Sequence, residues 1–173
     1  MPLNHDIFDT PFGWIGVLAS PLGIRRATLP QHTPDEAVAQ LGPEAIGSSY
    51  APEGFNGFRH AMEAYFRGDR PAFEDIPLDL AGAPPFLAAA WAACRSIPYG
   101  ETRSYKWLAE QAGNPRALRA AGQSMARNRI PIVIPCHRVL ASSGALHGFG
   151  KGATQLDLKA KLLAIEQGSG RRF

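Results

Sequence analysis

The chain has 173 residues, 45% hydrophobic and 19% charged, with a formal net charge of +3. That balance is globular: it excludes a disordered chain or a coiled coil, and no apolar run reaches the ~18–20 residues that span a bilayer. Two cysteines make neither a disulfide framework nor a four-cysteine zinc site, and the start, MPLNHDIFDT, has acids where a secretory signal has a basic stretch. The expectation is a soluble, reduced, cytoplasmic protein. The charge is uneven: positions 1–90 hold 5 basic against 11 acidic residues, positions 91–173 hold 13 against 4. An acidic half thus precedes a basic half suited to a polyanion, or the surface is simply sampled unevenly.

Phe8 to Leu29 reads as strands, with a hairpin turn at Ser20-Pro21-Leu22-Gly23. Thr33 before Pro34-Asp35-Glu36 is an N-cap followed by Pro at the first helical position, so a helix is predicted to about Leu41. Apolar residues at 58, 61, 62, 65 and 66 have helical spacing. Ile76-Pro77-Leu78-Asp79-Leu80 alternates as a short edge strand, where proline is tolerated. Gly82-Ala83-Pro84-Pro85 is the best domain boundary, giving residues 1–82 and 83–173. Phe86 to Arg95 follows as an alanine-rich helix expected to be buried, with Cys94 as inert core.

The next stretch reads as helix-turn-helix. Ser104 can cap a helix over Tyr105–Ala112 with Trp107, Leu108 and Ala112 turned inward. Gly113-Asn114-Pro115 supplies a C′ glycine, a capping Asn and a Pro that starts a second helix, from Pro115 to about Arg127. Leu118, Ala121, Gly122 and Met125 form its apolar stripe. Arg116, Arg119, Arg127 and Arg129 make it basic, while Ala120, Ala121 and Gly122 make it narrow. A narrow basic helix suits a DNA groove; an ordinary helical hairpin in a basic protein explains the same shape.

Pro135-Cys136-His137-Arg138 places a cysteine between a buried β-branched run, Ile132 to Ile134, and a basic pair. Pro135 stiffens the approach, and neighbouring positive charge lowers a thiol below its ordinary ~8.5. His137 could accept the thiol proton, directly or through water. Taken as an isolated Cys-His pair, a purely structural cysteine is the favoured reading.

Pro135-Cys136-His137-Arg138-Val139 closely resembles the active-site signature of the O6-alkylguanine-DNA alkyltransferases, the methylated-DNA–protein-cysteine methyltransferase family. Further motifs match in order: Ile97-Pro98-Tyr99-Gly100-Glu101-Thr102-Arg103-Ser104-Tyr105, Gly113-Asn114-Pro115-Arg116-Ala117-Leu118-Arg119-Ala120-Ala121-Gly122, Met125-Ala126-Arg127-Asn128, Ser142-Ser143-Gly144, Gly148-Phe149-Gly150 and Leu162-Leu163-Ala164-Ile165-Glu166. The match runs from about Phe86 to Glu166; upstream only Asp9-Thr10-Pro11-Phe12-Gly13 resembles the family's first strand. The resemblance implies an α/β (α+β) fold: a small N-terminal RNase H-like α/β domain, then a mostly helical C-terminal domain with a winged-helix-like helix-turn-helix.

It also implies roles. Cys136 is the nucleophile and permanent alkyl acceptor, His137 a water-mediated base oriented by Glu166, Asn128 the brace of the turn, and Tyr105 the proton donor to the departing guanine. Arg119 is the finger entering the duplex; Arg116, Ala120, Ala121, Gly122, Arg127 and Arg138 join it in DNA binding. Tyr105, Val139, Ser142, Ser143, Phe149 and Gly150 line the pocket, with backbone near Cys136 and Val139 accepting from the exocyclic amine. The implied partner is double-stranded DNA carrying O6-alkylguanine, with O4-alkylthymine as a further candidate. The protein acts as a monomer in solution that binds DNA cooperatively, without membrane, cofactor or metal; members that hold zinc do so through N-terminal cysteines, and this chain has none before Cys94.

The chemistry explains the residue types. The alkyl group sits on an oxygen inside the stack, so the base must flip, at a cost of a few kcal/mol. Its carbon is saturated, so thiolate displacement suffices, and the thioether cannot be hydrolysed back. One departure is Lys151 to Lys159, longer and less glycine-rich than the family's run, with His147 near the mouth. The competing readings are a non-catalytic protein that flags alkylated bases, a transcriptional regulator reading sequence, and a thiol hydrolase of small esters.

Overall fold

The computed structural model describes residues 1–146 and 153–168. They form two compact units, Met1–Ala81 with Arg129–Pro131, and Gly82–Asn128 with Ile132–Phe173.

The first unit is built on a four-stranded sheet. Strands β1 (Asn4–Thr10), β2 (Gly13–Ser20) and β3 (Gly23–Ala27) run antiparallel, and the two-residue β4 (Ser49–Tyr50) adds parallel to β1, giving the order β3-β2-β1-β4. Phe8, Ile15, Val17 and Leu18 are buried in this sheet. At Gly23 the backbone turns through φ 142°, and a Cβ there would stand 2.4 Å from the Pro77 carbonyl. Helix α1 (Pro34–Leu41) begins at the predicted cap: Thr33 Oγ1 accepts from Glu36 N at 3.1 Å, and Glu36 Oε2 accepts from His32 N at 3.0 Å. Helix α2 (Asn56–Phe66) buries Phe58, Met62, Tyr65 and Phe66. Ile76–Leu80, expected as an edge strand, makes only a bridge from Leu78 to Ile24, with Ile24 N donating to Pro77 O and Asp79 N to Ile24 O. Pro77 has no N–H with which to extend the ladder. The chain returns to this unit at Arg129, whose carbonyl accepts from Ala27 N at 2.9 Å.

The second unit is mainly helical. Helix α3 (Pro85–Arg95) packs with α4 (Tyr105–Gln111) and α5 (Leu118–Ala126). Only Ala90, Trp91 and Cys94 of α3 are fully buried, a stripe rather than the whole helix expected from its composition. Trp91 Nε1 donates to Ser124 O at 2.8 Å and ties α3 to α5. Ser104 caps α4 by accepting from Trp107 N, and Gly113 closes it with φ 93°. Within α4, Leu108 and Ala109 are buried, whereas Trp107 and Ala112 are half-buried. Strand β5 (Arg103–Ser104) runs parallel to β6 (Val139–Leu140), and α6 (Ala153–Glu166) ends the described unit.

The second helix of the pair starts later than predicted. Pro115 and Arg116 lie in a turn, in which Asn114 Oδ1 accepts from Arg116 N and Asn114 O from Ala117 N. Asn114 therefore caps that turn, and Ala117 (φ −86°, ψ 48°) delays the helix to Leu118. The buried stripe of α5 is Ala121, Ser124 and Met125. Leu118, expected within it, is 50% exposed, and Gly122 is half-buried. Among the described residues no helix is long and apolar enough to cross a membrane.

Candidate active site

Cys136 is delivered by a tightly specified turn. Pro135 (φ −81°, ψ 65°) is the centre of an inverse γ-turn in which Cys136 N donates to Ile134 O at 2.8 Å. The same carbonyl accepts from Asn128 Nδ2 at 2.7 Å, so the residue two positions past the end of α5 braces the turn. Upstream, buried Ile132 holds φ 74°, a conformation a β-branched residue adopts only when its surroundings over-determine it. The run Ile132–Ile134 is buried as expected, though as a strained turn.

Cys136 is 5% exposed. Burial pushes its thiol up; the Asn128 side chain, the nearby Lys159 ammonium and the backbone N–H groups of Cys136 and His137 pull the other way. Burial outweighs them, so the thiol lies above its ordinary value rather than below it as its basic neighbours suggest, and these donors and the Lys159 charge offset only part of the cost of a buried thiolate. Cys94 is also buried, which raises its thiol well above the ordinary value, and neighbouring Cys136 raises it further.

Behind the cysteine stands a buried charge network. His137 Nε2 lies 2.6 Å from Glu166 Oε1, while Arg138 donates from Nε and Nη2 to the two Glu166 oxygens at 2.9 Å each. Gly100 N adds a bond to Glu166 Oε2 at 3.3 Å, and Arg138 Nη1 donates to Ile97 O at 2.7 Å. Burial alone would raise the Glu166 carboxyl, yet His137 and Arg138 hold it at about 2. Burial keeps His137 below its ordinary value and therefore neutral near pH 7, despite the pull of Glu166. With Nε2–H donating to the carboxylate, Nδ1 is the basic ring nitrogen; this tautomer follows from the hydrogen bond.

Arg138 was expected at the DNA surface. It is 7% exposed, committed to Glu166 and Ile97, and stacked 5.7 Å from the Tyr99 ring centroid. Its charge neutralises Glu166 and is not displayed outward. Ala121, expected both in the apolar stripe and at the DNA surface, is 0% exposed and belongs to the stripe alone, leaving Ala120, Gly122 and Ala126 as the small residues outside it. Arg116, Arg119 and Arg127 are exposed.

The β5–β6 ladder pairs Ser104 with Leu140 and so sets Tyr105, the first residue of α4, beside the segment that follows Cys136. Burial raises the Tyr105 phenol to about 12, assisted by Cys136 and Cys94, so it stays protonated and able to donate. Val139 is buried; Ser142 and Ser143 are exposed on a turn closed by Gly144 N donating to Ala141 O. Phe149, Gly150 and His147 lie outside the described residues, as does the start of the Lys151–Lys159 stretch. A cavity of about 590 Å³ is lined wholly by residues of the first unit, among them Ile24, Phe55 and Phe58, and by none of the residues above.

Lys159 escaped the sequence reading. It is 0% exposed, its Nζ donating to Val139 O at 2.8 Å and standing 6.0 Å from the Tyr105 ring centroid. Burial lowers it to about 8, against the opposing pull of Cys136 and Cys94. A signal was available: Lys159 precedes Leu162 by three residues and Glu166 by seven, one helical face.

Among the described residues no group of three His, Cys, Asp or Glu side chains is placed to hold a metal ion. The arrangement provides a buried thiol with thiolate-stabilising donors, an adjacent neutral imidazole on a carboxylate, a phenol donor and a nearby basic helix. That is the equipment for alkyl transfer to sulfur at a DNA surface.

Comparisons with known proteins agree. Residues 85–168 match the family described as 6-O-methylguanine DNA methyltransferase, DNA binding domain. A methylated-DNA–protein-cysteine methyltransferase of Mycolicibacterium paratuberculosis is 47% identical over 125 residues, 72% of this chain and 73% of that protein. The constitutive enzyme of that name from Bacillus subtilis is 43% identical over 109 residues, covering 63% of this chain and 64% of its own. The crystal structure of the Mycobacterium tuberculosis O6-methylguanine methyltransferase superposes with a TM-score of 0.80 at 32% identity, over 96% of this chain and 94% of that one. The M. tuberculosis OGT in complex with DNA gives 0.81 at 30% identity, over 98% and 96%.

Proposed function

The chain belongs to the methylated-DNA–protein-cysteine methyltransferase family, and on that premise we propose how its residues repair DNA by moving an alkyl group from guanine O6 to Cys136. The Cys136 thiol gives its proton, through water, to His137 Nδ1, and Glu166 stabilises the resulting imidazolium. The thiolate attacks the saturated alkyl carbon, an S–C bond forms, and the C–O6 bond breaks with its electron pair going to guanine. Tyr105 protonates the guanine ring, so guanine leaves neutral rather than as an anion. Lys159 steadies the Tyr105 ring and contributes positive charge at the thiolate. No step regenerates the thiol, so each molecule acts once.

The single observation that carries this reading is the buried Cys136 beneath Asn128 and beside the 2.6 Å His137–Glu166 contact. The substrate is duplex DNA with an O6-alkylguanine, O4-alkylthymine being a further candidate. Arg119 enters the stack where the base was, with Arg116 and Arg127 on phosphates and Ala120 and Gly122 allowing close approach. Val139, Ser142, Ser143, Phe149 and Gly150 surround the flipped base with Tyr105. Residues 83–173 carry DNA binding and chemistry, residues 1–82 form the N-terminal domain, and the protein is a monomer that loads cooperatively on DNA. Cys136 itself separates this reading from that of a lesion-flagging protein. The test is stoichiometry: with excess duplex bearing one O6-methylguanine, repair should plateau at one lesion per protein and be absent in Cys136→Ala. Turnover beyond one, or repair by Cys136→Ala, overturns it.

A further inference from the structure

The leucine expected inside α5 stands outside it. Leu118 is 50% exposed at the first turn of α5, and Arg116 and Arg119 are exposed at the same end of the helix. One exposed leucine is ordinary on a protein surface; its surroundings here are not. One helical turn further along the same row lies Gly122, and one more turn brings Ala126. Gly122 has no left-handed φ and nothing within 4 Å of where its Cβ would be, so neither conformation nor internal crowding requires glycine. Glycine inside a helix costs about 1 kcal/mol relative to alanine, and the usual compensation is close approach by another backbone. The row is therefore flat along the helix and raised only at Leu118. Helical side chains lean toward the N-terminus, so Leu118 projects at the end where the arginines concentrate positive charge.

We propose that Leu118 is an apolar wedge that works beside Arg119: while the guanidinium fills the place of the flipped nucleotide, Leu118 presses on the flanking base pair in the minor groove of duplex DNA. The proposal rests on the alkyltransferase reading above. Proteins that pry apart base steps commonly insert Leu, Ile, Phe or Met there, because an apolar side chain replaces lost stacking without needing hydrogen-bond partners. The occupant is a duplex rather than a protein because two exposed arginines, Arg116 and Arg119, stand within two residues of the leucine and the small residues behind it let a backbone come close.

The test compares wild type with Leu118→Ala, Leu118→Gln and Leu118→Met on three substrates: an O6-methylguanine duplex with 2-aminopurine in the flanking pair, the same lesion in a single strand, and free O6-benzylguanine. Leu118→Ala and Leu118→Gln should slow duplex repair about tenfold and reduce the 2-aminopurine signal of unstacking, while rates on the single strand and the free base change less than about twofold. Leu118→Met should recover most of the duplex rate, since length and apolarity return. Equal rates of wild type and Leu118→Ala on the duplex, or equal losses on all three substrates, overturn the wedge. A wild type that alkylates Cys136 with none of the three overturns the alkyltransferase reading itself, and the free base, which needs no DNA, tells the two failures apart.

Discussion

Replacing Glu166 with Gln probes the buried network by removing one charge and almost no volume. Its carboxyl is held at about 2 against an ordinary 4.5, although burial opposes this. At about 1.4 kcal/mol per tenfold change in proton affinity, that gap is worth about 3 kcal/mol of folding free energy at neutral pH. Removing one partner of a buried ion pair costs about 3–5 kcal/mol by mutation, because the other charge, here Arg138, is left in a dry site. The two routes agree, so Glu166→Gln should lose about 3 kcal/mol in guanidinium unfolding at pH 7. The folded carboxyl is depressed, so its contribution is complete above about pH 4.5 and is lost as pH falls toward 2. The difference between wild type and variant should shrink across that window, since a protonated Glu166 is nearly a Gln. A difference below about 1 kcal/mol at pH 7, or one that persists unchanged into acid, would refute the assigned network.

Arg119→Ala should cut the repair rate on duplex DNA far more than on free O6-benzylguanine; equal losses would remove Arg119 from the stack. Lys159→Met deletes a cation that favours the Cys136 thiolate and is charged below about pH 8. Its alkylation by O6-benzylguanine should slow about tenfold at pH 7, with the rate profile moved to higher pH and partly restored by Lys159→Arg; an unmoved profile contradicts that role. Asn128→Ala removes the bond to Ile134 O and the donor to sulfur, a loss of about 1–3 kcal/mol that should appear as slower alkylation and a higher thiol pKa by iodoacetamide titration.

What the sequence made legible was whatever local chemistry decides. The Thr33 and Ser104 caps, the Gly113 stop and the hairpin at Pro21-Leu22 appear as predicted, because a side-chain oxygen or a positive φ settles each within four residues. Pro115 misled because a proline that can start a helix can equally start a turn, and the Asn114 side chain chose the turn. Tertiary pairing decided the rest. Arg138 reads as a surface cation until Glu166, 28 residues away, folds against it. Lys159 reads as solvated until its helix lands on Val139, and Leu118 leaves the predicted apolar stripe of α5 while Ala121 stays in it and Ser124 joins it. The reacting residues and Glu166 were visible as motifs; the burial of Arg138 on Glu166 and of Lys159 on Val139 was not.

In the proposed reaction the alkyl group ends on Cys136. The most direct measurement is the intact mass of the protein after incubation with a duplex containing one O6-methylguanine, followed by peptide mapping. The expected result is a gain of one methyl group, saturating at one per chain and confined to the peptide bearing Cys136. A methyl on Cys94, or tight lesion binding with no gain in mass, would contradict it.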